Sequence, residues 1–202
     1  MRGILLLNGT PYDGEIDDKG ALVVCCDGAY EWAKNRVRID KNVGDYDSLG
    51  YIPIPPPEQV YPREKDFTDG EIALSKLIES GVDEIEIDGG EGGREDHFLG
   101  NLHLLFRAHR QGIKAKMITA RSVIFPAGES VKFTGITGAT VSVLPFGGDV
   151  HIMGSAGLKY SYPEKLCYGA CRGLSNVVES ENAHLELGHG DTALIIINRG
   201  EV

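Results

Sequence analysis

The chain has 202 residues, 42% of them apolar and 25% charged, which suits a soluble globular protein with room for one large domain or two small ones. Asp and Glu number 30 against 20 Lys and Arg, for a formal charge of −10. That balance disfavours a nucleic-acid backbone as partner, yet leaves small phosphates open, because a divalent cation can mediate them.

The opening "MRGILLLNGTPYDG" holds one Arg and a short apolar run that breaks at Asn8-Gly9 and Pro11. It is too short for a secretion signal and has no small-residue cleavage site. No apolar run approaches the roughly 20 residues that span a bilayer, so no membrane partner is expected and the location is expected to be cytoplasmic. Cys25 and Cys26 are adjacent, and Cys167 and Cys171 stand four apart. Neither spacing is a CxxC motif, so free thiols in a reducing compartment are expected rather than zinc or a disulfide.

In chain order, "ILLL" and "ALVVCC" are short continuous apolar runs, as for strands buried on both faces. "YIPIPPPEQVYP" is a proline-rich connection. "TDGEIALSKLIESG" has helical spacing through Ile72, Leu74, Leu77 and Ile78, and Gly81 stops it. "EIEID" is a predicted strand, Glu95 to Gln111 a predicted helix with Leu99, Leu102, Leu105 and Phe106 on one side, and "AKMITA" another strand. This alternation predicts an α/β N-terminal domain, residues 1–122, with a mostly parallel sheet and flanking helices. Beyond it the helical signal ends. "SVIFPAG", "SVKFTG", "TVSVLPF", "VHIMG", "NVVES", "AHLEL" and "TALIIIN" are strand-like runs separated by Gly, Pro, Asn and Asp. They predict an all-β C-terminal sandwich or barrel over residues 123–202.

Carboxylates follow several of the predicted strands. Asp27 follows "ALVVCC", Asp45 and Asp47 follow the segment around Val43, Asp66 and Asp69 open a helix, and Asp88 ends "EIEID". In an open parallel sheet ligands bind beyond the carboxyl ends of the strands, so these acids are placed to meet in one crevice. Asp45 and Asp47, two apart, point to the same side if that segment is extended. Mutually repelling carboxylates at such a place suit Mg²⁺, a hard cation that takes oxygen ligands and shares its shell with phosphate. Asp is also a common turn and helix-cap residue, and Asp69 in particular could simply favour a helix start.

"DGGEGGREDH" places Gly89, Gly90, Gly92 and Gly93 between a strand and a helix, where backbone amides can approach an anion, and Arg94 adds a planar donor fork for phosphate. Other signals lead nowhere. There is no G-x-x-x-x-G-K-[ST] phosphate loop and no G-x-S-x-G nucleophile turn. Gly188, Gly190 and Ala193 fit G-x-G-x-x-A, but a strand pattern follows instead of a helix. His97 and His103 lack metal-ligand spacing, and Asp96-His97 is a helix-start contact by position.

Together the pieces resemble the thiamine pyrophosphokinase family. The resemblance runs through "DGA" at 27–29, "GDYDS" at 44–48, "KDFTDGEIAL" at 65–74 and "GGREDHFLGN" at 92–101, then "TGATVSVLP" at 137–145, "GLKY" at 157–160 and "GLSN" at 173–176. It implies transfer of the pyrophosphoryl group of ATP to the hydroxyl of thiamine, giving thiamine diphosphate and AMP, with Mg²⁺ as cofactor. It implies a catalytic and metal-binding set of Asp45, Asp47, Asp66 and Asp69. It also implies a nucleotide-binding set of Asp27, Gly28, Gly92, Gly93, Arg94, Asp96, His97 and Asn101, and thiamine contacts from Ser175 and Asn176. A homodimer with the site at the subunit interface is implied as well. The chain reads Asp27-Gly28-Ala29-Tyr30, with one glycine fewer than many relatives. The alternatives left open are a pyrophosphokinase for another hydroxymethyl heterocycle such as a pterin, a Mg²⁺-dependent phosphohydrolase, and a non-catalytic nucleotide-binding protein of the same fold.

Overall fold

A computed structural model describes residues 1–199 in two compact units, Met1–Ala120 and a second that begins at Arg121. The first contains β1 (Arg2–Leu6), β2 (Leu22–Cys26), α1 (Ala29–Ala33), β3 (Lys41–Val43), α2 (Asp69–Glu79), β4 (Glu84–Asp88), α3 (Glu95–His109) and β5 (Lys114–Ile118). Its strands lie in the order β5-β4-β1-β2-β3, and every neighbouring pair is parallel. Strands whose side chains are buried almost throughout, such as LVVCC in β2, need cover on both faces, and parallel crossovers supply it. The chain runs outward from β1 to β3, then returns to β4 on the other side of β1. This leaves a crevice beyond the carboxyl ends of β1 and β4.

Helix α2 begins with a capping box: Thr68 accepts from the Glu71 amide while the Glu71 carboxylate accepts from the Thr68 amide. Its buried face carries Ala73, Leu74 and Leu77. In α3 the buried residues are Leu102, Leu104, Leu105 and Ala108, whereas Leu99 is 59% exposed. The expected stripe through Leu99 is therefore displaced. At 3.6 residues per turn Leu99 falls on the side of α3 opposite that face. Helix α1 carries too few residues for a periodic signal and is absent from the sequence-based expectation.

The second unit is built from β6 (Ser122–Ala127), β7 (Val131–Phe133), β8 (Thr140–Pro145), β9 (Val150–Ala156), β10 (Lys165–Leu166), β11 (Asn176–Val177), β12 (Ala183–Leu187) and β13 (Ala193–Asn198). All its pairings are antiparallel, with β11-β8-β13-β6 adjacent in one sheet and β10-β9-β12-β7 in another. Phe133, Val141, Val143, Val150, Leu166, Leu185 and Ile195 from both sheets form one core. Alternation sets this up, as in the AHLEL of β12, where Ala183, Leu185 and Leu187 are buried and Glu186 is exposed. No helix among the described residues is long and apolar enough to cross a membrane.

The long connection from β3 to α2 is clasped by Glu58, whose carboxylate takes Lys41 and Lys76, each at 2.9 Å. Hydrogen bonds from Lys41 and Lys76 pull the Glu58 carboxyl down from 4.5 to about 2. Because the folded value is depressed, the stabilisation is present above the unfolded value of 4.5 and is lost as pH falls toward 2. Glu58 is well exposed, so the effect is small and salt-screened. Glu58→Gln is expected to lower Tm by about 2 °C at neutral pH and low salt. In a pH series of thermal melts that gap narrows as pH falls from 4.5 toward 2.

Candidate active site

The acidic centre is built where β2 and β3 end. The Asp27 amide donates to the Val43 carbonyl at 2.8 Å, so parallel pairing continues one step past β2. Gly44 then passes so close that a Cβ there would lie 2.9 Å from the Asp27 Cβ. Asp27 itself has φ +35 and the buried Tyr46 has φ +60, both in a region that side chains disfavour. The left-handed turn at Tyr46 lets the Asp47 amide donate to Asp45 Oδ1 at 3.1 Å. Asp45 and Asp47 are thus gathered by a turn, and not by the extended alternation their spacing suggests. One carboxylate oxygen from each of Asp27, Asp45 and Asp47 lies within 4.8 Å of the others.

Such a group needs positive charge or donors. Ser48 Oγ donates a short hydrogen bond to Asp27 Oδ2. Lys65 Nζ lies 3.1 Å from Asp69 Oδ1 and 3.7 Å from Asp45 Oδ2. The hydrogen bond from the Asp47 amide, with Lys65 beside it, holds the Asp45 carboxyl below the usual range. Burial pushes the Asp69 carboxyl up, with Lys65 pulling the other way. Arg63 reaches Asp47 at 3.5 Å but is 83% exposed, so it offsets little. Asp27 Oδ1 is buried and has no hydrogen-bond partner. A buried carboxylate oxygen left this way is costly, and three converging oxygen donors fit a hard divalent cation such as Mg²⁺.

Asp27 and Asp69 also line a cleft of about 870 Å³, together with Asn8, Arg94, His97 and Asn101. Its glycine-rich wall is fixed by an extension of the β1–β4 pairing: Leu7 donates to Asp88 at 2.9 Å, Gly9 to Gly89 at 2.8 Å and Thr10 to Glu91 at 2.6 Å. Gly92, with φ +78, leaves no room for a side chain, because a Cβ would fall 1.8 Å from Thr10 Oγ1. Arg94 precedes α3 and forms a two-point pair with Asp96, at 3.0 and 2.5 Å, which keeps its exposed guanidinium at the cleft. Asp96 also accepts from the His97 amide at 2.9 Å. Asn101 Nδ2 donates to the Gly90 carbonyl at 2.9 Å and ties α3 to the glycine loop.

The structure therefore brings Gly92, Gly93, Arg94, Asp96, His97 and Asn101 to the same cleft as Asp27 and Asp69. Gly28 packs on the Asn8 side chain, where a Cβ would meet Nδ2 at 2.4 Å. Asp66 is exposed and lies outside the group of three carboxylates. In the second unit Ser175 is exposed with φ +59, and its amide donates to Ser142 Oγ at 3.1 Å. Asn176 is buried, and its amide group is engaged by the Tyr160 amide (3.0 Å), the Tyr160 carbonyl (2.7 Å) and the Val177 amide (2.9 Å). Asn8 and Lys65 are cleft and site residues that sequence reasoning misses. Only the four-residue spacing of Lys65 and Asp69 hints at one of them.

Gly44→Ala tests how the acidic centre is assembled. The added methyl has to displace Asp27, which is expected to cost about 1–3 kcal/mol in denaturant unfolding, as overpacking does. The variant is also expected to lose any thermal stabilisation that the wild type gains from Mg²⁺.

The model of the thiamin pyrophosphokinase catalytic domain matches residues 15–117, just over half of the chain. The thiamine pyrophosphokinase of Bacillus subtilis strain 168 is 39% identical over 107 residues, 52% of this chain and 50% of that protein, so the match spans about half the length of this curated relative. The crystal structure of thiamine pyrophosphokinase from Bacillus subtilis superposes with a TM-score of 0.84 at 24% identity, covering 100% of both chains. That of thiamin pyrophosphokinase from Geobacillus thermodenitrificans gives 0.80 at 22% identity, covering 100% of this chain and 99% of the other. The Candida albicans structure gives 0.70 at 18% identity, covering 98% and 88%. At these identities the structural likenesses describe the fold.

Proposed function

This chain belongs to the thiamin pyrophosphokinase family, and from that premise we propose that it transfers the pyrophosphoryl group of ATP to the hydroxyl of thiamine. The hydroxyl oxygen bonds to the β-phosphorus and releases its proton. The bond from the β-phosphorus to the oxygen it shares with the α-phosphorus breaks, and AMP leaves with that oxygen as thiamine diphosphate forms. The observation that carries this reading is the convergence of Asp27, Asp45 and Asp47 within 4.8 Å, with a buried and unpartnered oxygen on Asp27. A reaction of this kind needs charge neutralisation and in-line placement more than a strong base.

In this reading Asp27, Asp45 and Asp47 hold Mg²⁺, which when bound neutralises phosphate oxygens and favours departure of AMP. Asp69, at the start of α2 and inside the cleft, orients the acceptor hydroxyl, and burial raises its carboxyl above the ordinary value. Asp66, being exposed, takes a peripheral part. The glycine loop offers backbone amides at Gly92 and Gly93 to the nucleotide's phosphates, and Arg94, held by Asp96, offers a planar donor fork. His97 and Asn101 complete that wall, Asn101 through its bond to Gly90.

Thiamine carries a thiazolium charge, which an acidic site attracts. Residues 1–122 serve as the nucleotide-binding catalytic domain and residues 123–202 as the thiamine-binding domain. The working form is a homodimer whose site lies at the subunit interface. Ser175 is the exposed thiamine contact, and Asn176 acts by fixing the Tyr160 backbone. Four free cysteines suit a cytoplasmic setting.

Purified protein incubated with ATP, Mg²⁺ and thiamine is expected to form thiamine diphosphate and AMP in equal amounts, and neither without Mg²⁺. AMP formation that follows some other hydroxylated heterocycle would overturn the acceptor, and no turnover with any acceptor would overturn the transfer itself. Asp27→Asn, Asp45→Asn and Asp47→Asn are each expected to lower kcat at least ~100-fold with an unchanged circular dichroism spectrum, the scale of losing a centred electrostatic group.

A further inference from the structure

Lys65 stands apart from the other cations that form ion pairs. Its side chain is 14% exposed, the least among the ion-paired cations of the described residues. Its ammonium is engaged on three sides, by Asp69 at 3.1 Å, Asp45 at 3.7 Å and the Pro62 carbonyl at 3.3 Å. It lies next to the start of α2, three residues before the cap at Thr68. A positive charge is disfavoured there, because the amino end of a helix is itself electropositive. Helix formation therefore gives no reason for a lysine at this point, and the carboxylates do. The residues it bridges come from two different parts of the site, the turn after β3 and the first turn of α2.

We infer that Lys65 is the resident counter-cation of the carboxylate site, which keeps Asp45 and Asp69 in place and competes with a divalent cation for Asp45. The inference rests on the proposed metal reading, and it makes Lys65 a positioning residue. Its ammonium lowers the net charge offered to an incoming ion and holds the two carboxylates at the spacing seen here. Metal affinity in the free protein is then set below what the acids alone would give. The site is kept from tight, unproductive metal capture before the nucleotide arrives.

The test uses Mn²⁺ alone, titrated into nucleotide-free protein at low salt and followed by electron paramagnetic resonance of the free ion. Lys65→Met is expected to bind Mn²⁺ about tenfold more tightly than wild type, the scale of removing one close positive charge in a partly buried site. Its metal-free Tm falls, and saturating Mn²⁺ closes the gap. Lys65→Arg, which keeps the charge, stays near the wild-type affinity. Equal or weaker Mn²⁺ binding by Lys65→Met overturns the role of Lys65, since a purely structural anchor would give a loss of Tm that metal does not repair. No Mn²⁺ binding by either wild type or Lys65→Met overturns the metal reading instead. Should Lys65→Met fail to fold, acylation of Lys65 in the wild type, read by peptide mass spectrometry, must rise when Mn²⁺ is added. Unchanged or reduced acylation overturns the inference.

Discussion

Three carboxylates within 4.8 Å is an arrangement that electrostatics resists. Two unit charges about 4 Å apart repel by about 4 kcal/mol at an effective dielectric of 20. The arrangement survives because each acid is held by backbone. Asp27 is fixed by the β2–β3 pairing carried one hydrogen bond beyond β2, and Asp45 and Asp47 by the left-handed turn at Tyr46. Ser48 and Lys65 offset part of the repulsion, and the buried Asp27 Oδ1 has no hydrogen-bond partner.

The rest of the first unit supports this centre. A parallel sheet ends its strands on one side, so β1, β2, β3 and β4 all deliver their following loops to the same crevice. The loops after β1 and β4 are joined by the three backbone bonds from Leu7, Gly9 and Thr10. That pairing brings Gly92 against Thr10 and points the start of α3 at the cleft. Asn101 then couples the helix to the loop, so the Arg94–Asp96 pair is carried on a fixed element. The strain at Asp27 and Tyr46 falls at the site itself, where the surrounding sheet can hold it.

The second unit has a different logic. Its two antiparallel sheets share a core of Phe133, Val141, Val150, Leu185 and Ile195, and its polar interior is confined to a few groups. Asn176 is one of them: its Oδ1 accepts from the Tyr160 and Val177 amides and its Nδ2 donates to the Tyr160 carbonyl. A buried Asn hydrogen-bonded in this way ties the Tyr160 backbone to β11, and the neighbouring Ser175 is exposed with a positive φ.

Local pattern was enough for the order and type of most elements. Continuous apolar runs marked β1 and β2, helical spacing through Ile72, Leu74, Leu77 and Ile78 marked α2, and the loss of helical spacing near residue 122 matched the onset of antiparallel strands. Composition and the spacing of Asp45, Asp47 and the glycines of 88–93 pointed to a metal and phosphate site, since those residue types carry the chemistry wherever the chain puts them. The sequence could not rank the acids. Asp27 is 18 residues from Asp45, and only the pairing of β2 with β3 makes it the third member of the trio, while Asp66, closer in sequence to Asp69, is left exposed. Nor could it reveal that Lys65 bridges Asp45 and Asp69, or that Asn176 is spent on backbone. Residue type and short-range period are local properties written in the chain; which charges meet depends on strand register and loop closure, which exist only once the sheet has formed.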